Sequence, residues 1–330
     1  MTAGRSCLVT GATGFLGTNL VHELAREGWR VRALGLPGSE TRYIEEPAAE
    51  IQLGDITEPA DVQAAVKGMD TVFHVAGDTS WWKKNFERQR RINVDGAVNV
   101  ARACIERGVQ RLVHTGTVDI LGFDPGGTAD ETWTGYSYGG TGYNYADTKR
   151  EGLRRVMELC GSELEVVVIH PGSMIGPYDF TLQYGRLYFD LRDGKVPACP
   201  AGGVGFGHVS EVARAHIAAA ERGRPGEAYI CAGDNVTYRE VFQAIAEKFG
   251  RDAPRLTMPR SLFVAYGYLM QWLSAITRKP PEIDPGMARY MSIRAFYDCG
   301  KAVRELDYRI VPLARMVDDA YDWYRDNDFL

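Results

Sequence analysis

A chain of 330 residues, 45% hydrophobic and 25% charged, can bury a large core and form one main domain with an added lobe. Its formal net charge of −5 gives no reason to expect nucleic acid or an anionic membrane as partner. Six scattered cysteines without a CxxC pair read as reduced, buried thiols, and six histidines show no metal spacing. No run of about 18 apolar residues is present to span a bilayer, and residues 1–6 lack the apolar stretch of a signal peptide, so a soluble cytoplasmic protein is expected.

The first element is an apolar strand over 6–10 that runs into three glycines spaced by three, Gly11, Gly14 and Gly17, with a helix predicted over 16–27. A strand turning straight into a helix aims free N–H groups and the positive dipole end at one point, where an anion binds. Gly11 permits the tight turn, Gly14 admits a pyrophosphate to the backbone, and Gly17 lets the helix pack on the strand. With Thr13, Phe15 and Leu16 at the same turn, this predicts a dinucleotide site.

Further strands are predicted over 30–34, 50–53, 71–75, 111–115 and 166–170, with helices over 59–66, 88–107 and 145–160 between them. Continuous apolar strands alternating with helices imply an α/β fold: a doubly wound parallel sheet of Rossmann type, binding ligands beyond the carboxyl ends of its strands. Several candidates follow those ends. Asp55, beside Ile56, offers a carboxylate to an adenine amino group; Val75, Ala76 and Gly77 let a cofactor lie flat; Thr115 and Thr117 follow the fifth strand; and Pro171, Gly172 and Ser173 follow the sixth. Arg32 points away on its strand, leaving Arg42 as the cation available for a 2′-phosphate.

Past residue 173 the alternation breaks. A loop-rich, aromatic stretch over 177–207 precedes helices over 237–249, 261–276 and 314–323, which predicts a smaller, mostly helical substrate lobe over 173–330. Residues 207–232 return a helix and a strand to the dinucleotide domain over 1–172. The 261–276 helix is apolar nearly all round; packing the lobe's core is the leading reading, with a substrate wall or membrane-surface contact as alternatives.

Chemistry concentrates at Tyr145 and Lys149, four apart on one helix face. An ammonium near a phenol favours the phenolate and suits the tyrosine to proton transfer, while the lysine can also hold ribose hydroxyls. Thr117 offers a hydroxyl to a substrate carbonyl oxygen. A second Tyr-x-x-x-Lys at Tyr297 and Lys301 lies outside the alternating half. Asp78, Thr79 and Trp81 follow the fourth strand as candidate substrate contacts. Tyr136 and Tyr143, in a Gly- and Tyr-rich rim over 135–143, and Tyr178 complete that set.

In order along the chain stand Thr10–Gly17, Gly54-Asp55-Ile56, His74-Val75-Ala76-Gly77, Asn93–Asn99, Tyr145–Lys149, His170–Ser173 and Gly207–Ala213. Carrying these motifs almost end to end, the sequence resembles the extended short-chain dehydrogenase/reductase family, and most closely its branch of enzymes like dihydroflavonol reductases, 3β-hydroxysteroid dehydrogenases and NAD-dependent epimerase/dehydratases. The resemblance implies a triad of Thr117, Tyr145 and Lys149, with Asn93 as a fourth member ordering a water. Ser is usual at the Thr117 position and common at Gly116, whose missing side chain makes room for the threonine methyl. Leu36 stands where related reductases carry a phosphate-binding Arg, so NAD(H) and NADP(H) both stay open. Also implied are a structural role for Tyr297 and a homodimer through helices 88–107 and 145–160.

The leading expectation is an NAD(P)(H)-dependent oxidoreductase that reduces a bulky, largely apolar ketone or aldehyde, or oxidises the secondary alcohol, with Tyr145 as general acid/base. An NDP-sugar epimerase or dehydratase holding its NAD tightly is the alternative, with Arg289 and Arg294 available for a diphosphate. A non-catalytic redox sensor of the same fold is a third reading.

Overall fold

The computed structural model describes residues 5–136, 138 and 143–330; residues 1–4 and the rim residues 137 and 139–142 lie outside these. Strands β1 (Ser6–Thr10), β2 (Arg30–Gly35), β3 (Glu50–Leu53), β4 (Thr71–His74), β5 (Arg111–Thr115) and β6 (Glu165–Pro171) form one parallel sheet with the strand Ala228–Cys231. The spatial order is 228–231, β6, β5, β4, β1, β2, β3, and the reversal of strand order between β1 and β4 opens the crevice in which such sheets bind ligands.

Why the strands read as unbroken apolar runs is visible in where their side chains go. Cys7 and Val9 pack into one core with helix α1 (Phe15–Arg26) and the helix Val209–Arg222. Leu8, between them, packs on the opposite face against Val62 of α2 (Pro59–Val66) and Val100 and Val156 of the helices beyond. Both faces are covered, so neither needs polar residues. The strand 228–231 pairs with β6 from Ala228↔Val168 to Cys231↔Pro171, and helix 209–222 lies on α1, so this segment sits with the main sheet.

Three expectations require correction. The helix predicted over 88–107 is interrupted: Phe86–Arg90 and Ala97–Arg107 are α-helical, but Arg91–Gly96 forms a π turn. We call the composite α3, and Asn144–Met157 α4. The second lobe is not simply helical, since Gly203–His208 pairs with Asp234–Thr237, Ser173–Ile175 and Arg294–Ala295. Glycines 203, 205 and 207 hid this strand inside a predicted loop; a Cβ would press on the Val236 carbonyl at Gly203, on Ala232 at Gly205, and on the Tyr308 and Val212 side chains at Gly207. Helix Arg260–Thr277 does not pack the lobe's core; only Phe263, Gly267 and Ser274 are buried, against the short helix Pro285–Tyr290.

Candidate active site

Along the carboxyl ends of β1, β2, β4, β5 and β6 runs an open cleft of about 340 Å³. Its floor is the β1–α1 turn. Gly11 has φ +66°, and a Cβ there would come within 2.7 Å of the Ala76 backbone; a Cβ on Gly17 would overlap the Gly11 carbonyl. Gly14 caps α1 without a side-chain hydrogen bond, and the first turn carries no acidic residue. The helix therefore presents unpartnered N–H groups and positive potential to the cleft, as a dinucleotide pyrophosphate requires. Thr13, Phe15, Leu16, Leu36, Asp55, Ile56, Val75, Ala76, Gly77, Thr115, Pro171 and Gly172 line the same cleft. Asp55 is fixed by its Oδ1, which accepts the Thr57 N–H at 2.8 Å.

At the β5 end Thr117, Tyr145 and Lys149 come together on the cleft wall. The Lys149 Nζ donates to the Thr115 carbonyl at 2.7 Å, and burial lowers its pKa to about 8. Tyr145 departs from the expectation of a depressed phenol. Burial raises its pKa above the ordinary value, the Asp119 charge raises it further, and hydrogen bonding with Thr117 lowers it. Asp119 was not foreseen. It is buried, and its Oδ2 accepts from the Thr117 hydroxyl at 3.1 Å and from the Tyr143 hydroxyl at 2.8 Å. Burial raises its pKa against the hydrogen bonds of Tyr143, Thr117 and Tyr290. Its only sequence signal is its place two residues after Thr117.

Other candidates lie off the cleft. The Asn93 amide is held at both ends: Oδ1 accepts the Asp78 N–H at 2.8 Å, and Nδ2 donates to the Asp78 carbonyl at 3.0 Å and to Thr148 Oγ1 at 3.1 Å. It ties the loop after β4 to α4. Asp78 itself binds Arg88 at 2.7 Å, and within that loop it is Thr79 that reaches the cleft. Trp81 stacks on Tyr143 at 4.3 Å, and both pack on Tyr290 in an aromatic cluster beside Tyr145. The Tyr136 hydroxyl donates to Asp147. Tyr178 stacks on His22 at 4.5 Å and meets Trp323, away from the cleft, because its φ of +66° turns it toward α1. Ser173 accepts from Tyr184, and Arg42 pairs with Glu40 over the Tyr43 ring; neither lines the cleft. Tyr297 donates to the Gly122 carbonyl and Lys301 pairs with Glu227, so this second motif is structural. Gly116 leaves room for the His170 ring, which a Cβ there would overlap.

Sequence reasoning missed Ile92, Met174 and Gln183, which also line the cleft. Gln183 is placed by Asp179, whose carboxylate accepts the N–H groups of Gln183, Tyr184 and Gly185. A lone Asp ahead of an aromatic stretch was the available signal.

The NAD dependent epimerase/dehydratase family model matches residues 7–232. Sterol demethylase protein B of Methylococcus capsulatus is 28% identical over 326 residues, 98% of this chain and 99% of that protein. The decarboxylating sterol-4-alpha-carboxylate 3-dehydrogenase of Bos taurus is 28% identical over 341 residues, spanning 96% and 91%. The crystal structure of gox2253 superposes with a TM-score of 0.85 at 30% identity, covering 99% of this chain and 100% of that one.

Proposed function

Because the chain belongs to the NAD dependent epimerase/dehydratase family, whose model spans residues 7–232, we propose that it interconverts a secondary alcohol and a ketone on a bulky, apolar substrate. One observation carries the reading. Lys149 is the single cationic side chain among the described residues lining the cleft, and it sits at the catalytic end. A nucleotide-sugar diphosphate needs cations, yet Arg289 lies over the Tyr268 ring and Arg294 is exposed on the strand pair beyond; neither lines the cleft. Thr79, Ile92, Met174 and Gln183 also line the cleft, and none of them offers a charge to a diphosphate. The sterol names of two full-length relatives point to the same substrate class.

A bound nicotinamide would supply or accept the hydride. The residues do the rest. Tyr145 gives its phenolic proton to the carbonyl oxygen in reduction and removes it from the alcohol in oxidation. Thr117 donates a hydrogen bond to the same oxygen. Lys149, anchored on the Thr115 carbonyl, holds the ribose hydroxyls and places positive charge beside the reacting oxygen.

Tyr145→Phe should lower kcat by roughly 10²–10⁴-fold while cofactor affinity, read by titration calorimetry, stays near wild type. Across ketones from acetone-like to polycyclic, kcat/KM should climb with buried apolar area at about 25 cal/mol per Å². Flat activity, or purified protein that retains NAD and turns over only nucleotide sugars without net nicotinamide consumption, would replace this reading with the epimerase one.

A further inference from the structure

Helix Arg260–Thr277 leaves most of its circumference in solvent, and most of that surface is apolar. Its buried stripe, Phe263, Gly267 and Ser274, is one residue wide. Opposite it, Leu262, Leu269, Trp272, Leu273 and Ile276 recur at three- and four-residue spacings, so they share a face. Trp272 is 62% exposed, Ile276 63% and Leu269 50%. A surface helix of a globular domain ordinarily turns polar residues outward; here, after Arg260, the exposed polar residues other than tyrosine are Ser261, Gln271 and Thr277.

The charges around the helix say what covers it. From residue 253 to residue 281 the chain has no Asp or Glu, while Arg255 precedes the helix, Arg260 begins it, and Arg278 and Lys279 follow it. All four cations are exposed, and none forms an ion pair with a carboxylate among the described residues. In a chain of net charge −5, this is a local block of four positive charges bracketing an apolar face. Tyr266 and Tyr268 add exposed amphipathic rings to the same helix. A second copy of the chain is a poor occupant, because a two-fold pairing would set these cations against their own kind. No helix among the described residues is long and apolar enough to cross a membrane, so the helix lies on its occupant rather than through it.

We propose that helix Arg260–Thr277 docks this protein on the surface of an anionic lipid bilayer, its apolar face among the acyl chains and its flanking arginines and lysine at the headgroups. The helix packs on Pro285–Tyr290, whose Tyr290 belongs to the aromatic cluster beside Tyr145, so docking would bring the substrate end of the cleft near the lipid. The docking does not depend on the identity of the substrate.

Co-sedimentation of the full chain with vesicles tests this. Binding to 3:1 phosphatidylcholine/phosphatidylglycerol vesicles should exceed binding to pure phosphatidylcholine by at least about tenfold, and should fall as salt rises. Reversing Arg278→Glu and Lys279→Glu together should lower affinity for the anionic vesicles by at least about 25-fold, at about fivefold per basic residue. Leu269→Glu with Trp272→Glu should abolish binding to both, while cofactor affinity and melting temperature stay at wild-type values because both side chains are already solvated. Absence of vesicle binding by the wild-type chain would overturn the proposal. So would equal binding to both vesicle types, or a concentration-dependent dimer that Leu269→Glu dissolves while vesicles are ignored.

Discussion

The Thr117 hydroxyl sits between a phenol and a carboxylate, and which of them holds its hydrogen decides what it can offer a substrate oxygen. In the structure it donates to Asp119 Oδ2 at 3.1 Å. A protonated Asp119 would instead free that hydrogen, and burial pushes this carboxyl toward protonation. The Asp119 charge also raises the Tyr145 pKa. Asp119→Asn removes that charge, so the alkaline midpoint of kcat/KM for alcohol oxidation, where Tyr145 must act as base, should move to lower pH. An unmoved midpoint would show that Asp119 carries no charge when Tyr145 titrates. At the adenosine end, Leu36 provides neither acceptor nor cation, and Arg42 is engaged by Glu40 and Tyr43. NAD(H) and NADP(H) should therefore bind within about a thousandfold, roughly 4 kcal/mol, of each other by titration calorimetry; a larger gap would reveal a dedicated 2′ contact. Tyr145 and Lys149 were legible in the sequence because four residues on a helix fix their relation. Asp119 was not, because its partners Tyr143 and Tyr290 arrive from remote segments.

Elements carry the site through close approaches that a pattern of apolar residues records only in part. The π turn Arg91–Gly96 lies where α3 meets α4, and a Cβ on Gly152 of α4 would overlap the Asn93 carbonyl. Hydrophobic periodicity reads such a helix as continuous, because a single wide turn barely shifts the apolar stripe. Strands of the main sheet were legible for the opposite reason: buried on both faces, they leave runs that nothing interrupts. The junction between β5 and β6 makes a testable case. Gly116 N–H donates to the Ile169 carbonyl at 2.7 Å, and the His170 ring occupies the volume a side chain would need. Gly116→Ala should destabilise the fold by roughly 1–3 kcal/mol in urea unfolding. Adding His170→Ala should recover part of that loss, since the two changes relieve one overlap. If the double variant loses the sum of the two single effects, the ring is not what excludes the methyl.

At the scale of the whole molecule, charge and protonation are distributed in ways an average conceals. The net charge of −5 argued against an anionic surface as partner, yet four cations that form no ion pair among the described residues bracket the 260–277 helix. Histidines show the same principle more sharply, because all six have pKa values held below the ordinary 6.5. Four of them, His74, His114, His170 and His216, are buried near the carboxyl ends of β4, β5 and β6. Burial together with the Lys149 charge lowers His74 and His170 to about 3, and burial lowers His216 to about 4. His114 falls well below its ordinary value and has no hydrogen-bond partner on either ring nitrogen. A group neutral in the native state down to pH 3 or 4, but protonated near 6.5 when unfolded, gives stability that is fully present above about 6.5. Between those values the unfolded chain binds the extra proton, so stability declines as pH falls, at about 1.4 kcal/mol per unit for each group. The raised carboxyls of Asp119, Glu131 and Glu27 act in the opposite sense, three groups against six lowered histidines. The urea midpoint should therefore hold steady above pH 7 and drop steeply from pH 6.5 toward 5. His114→Leu should make that drop shallower by about one proton without lowering stability at pH 7.5, because it removes a ring whose nitrogens make no hydrogen bond. A midpoint level from pH 7.5 to 5 would mean that the native core accommodates charged imidazoles.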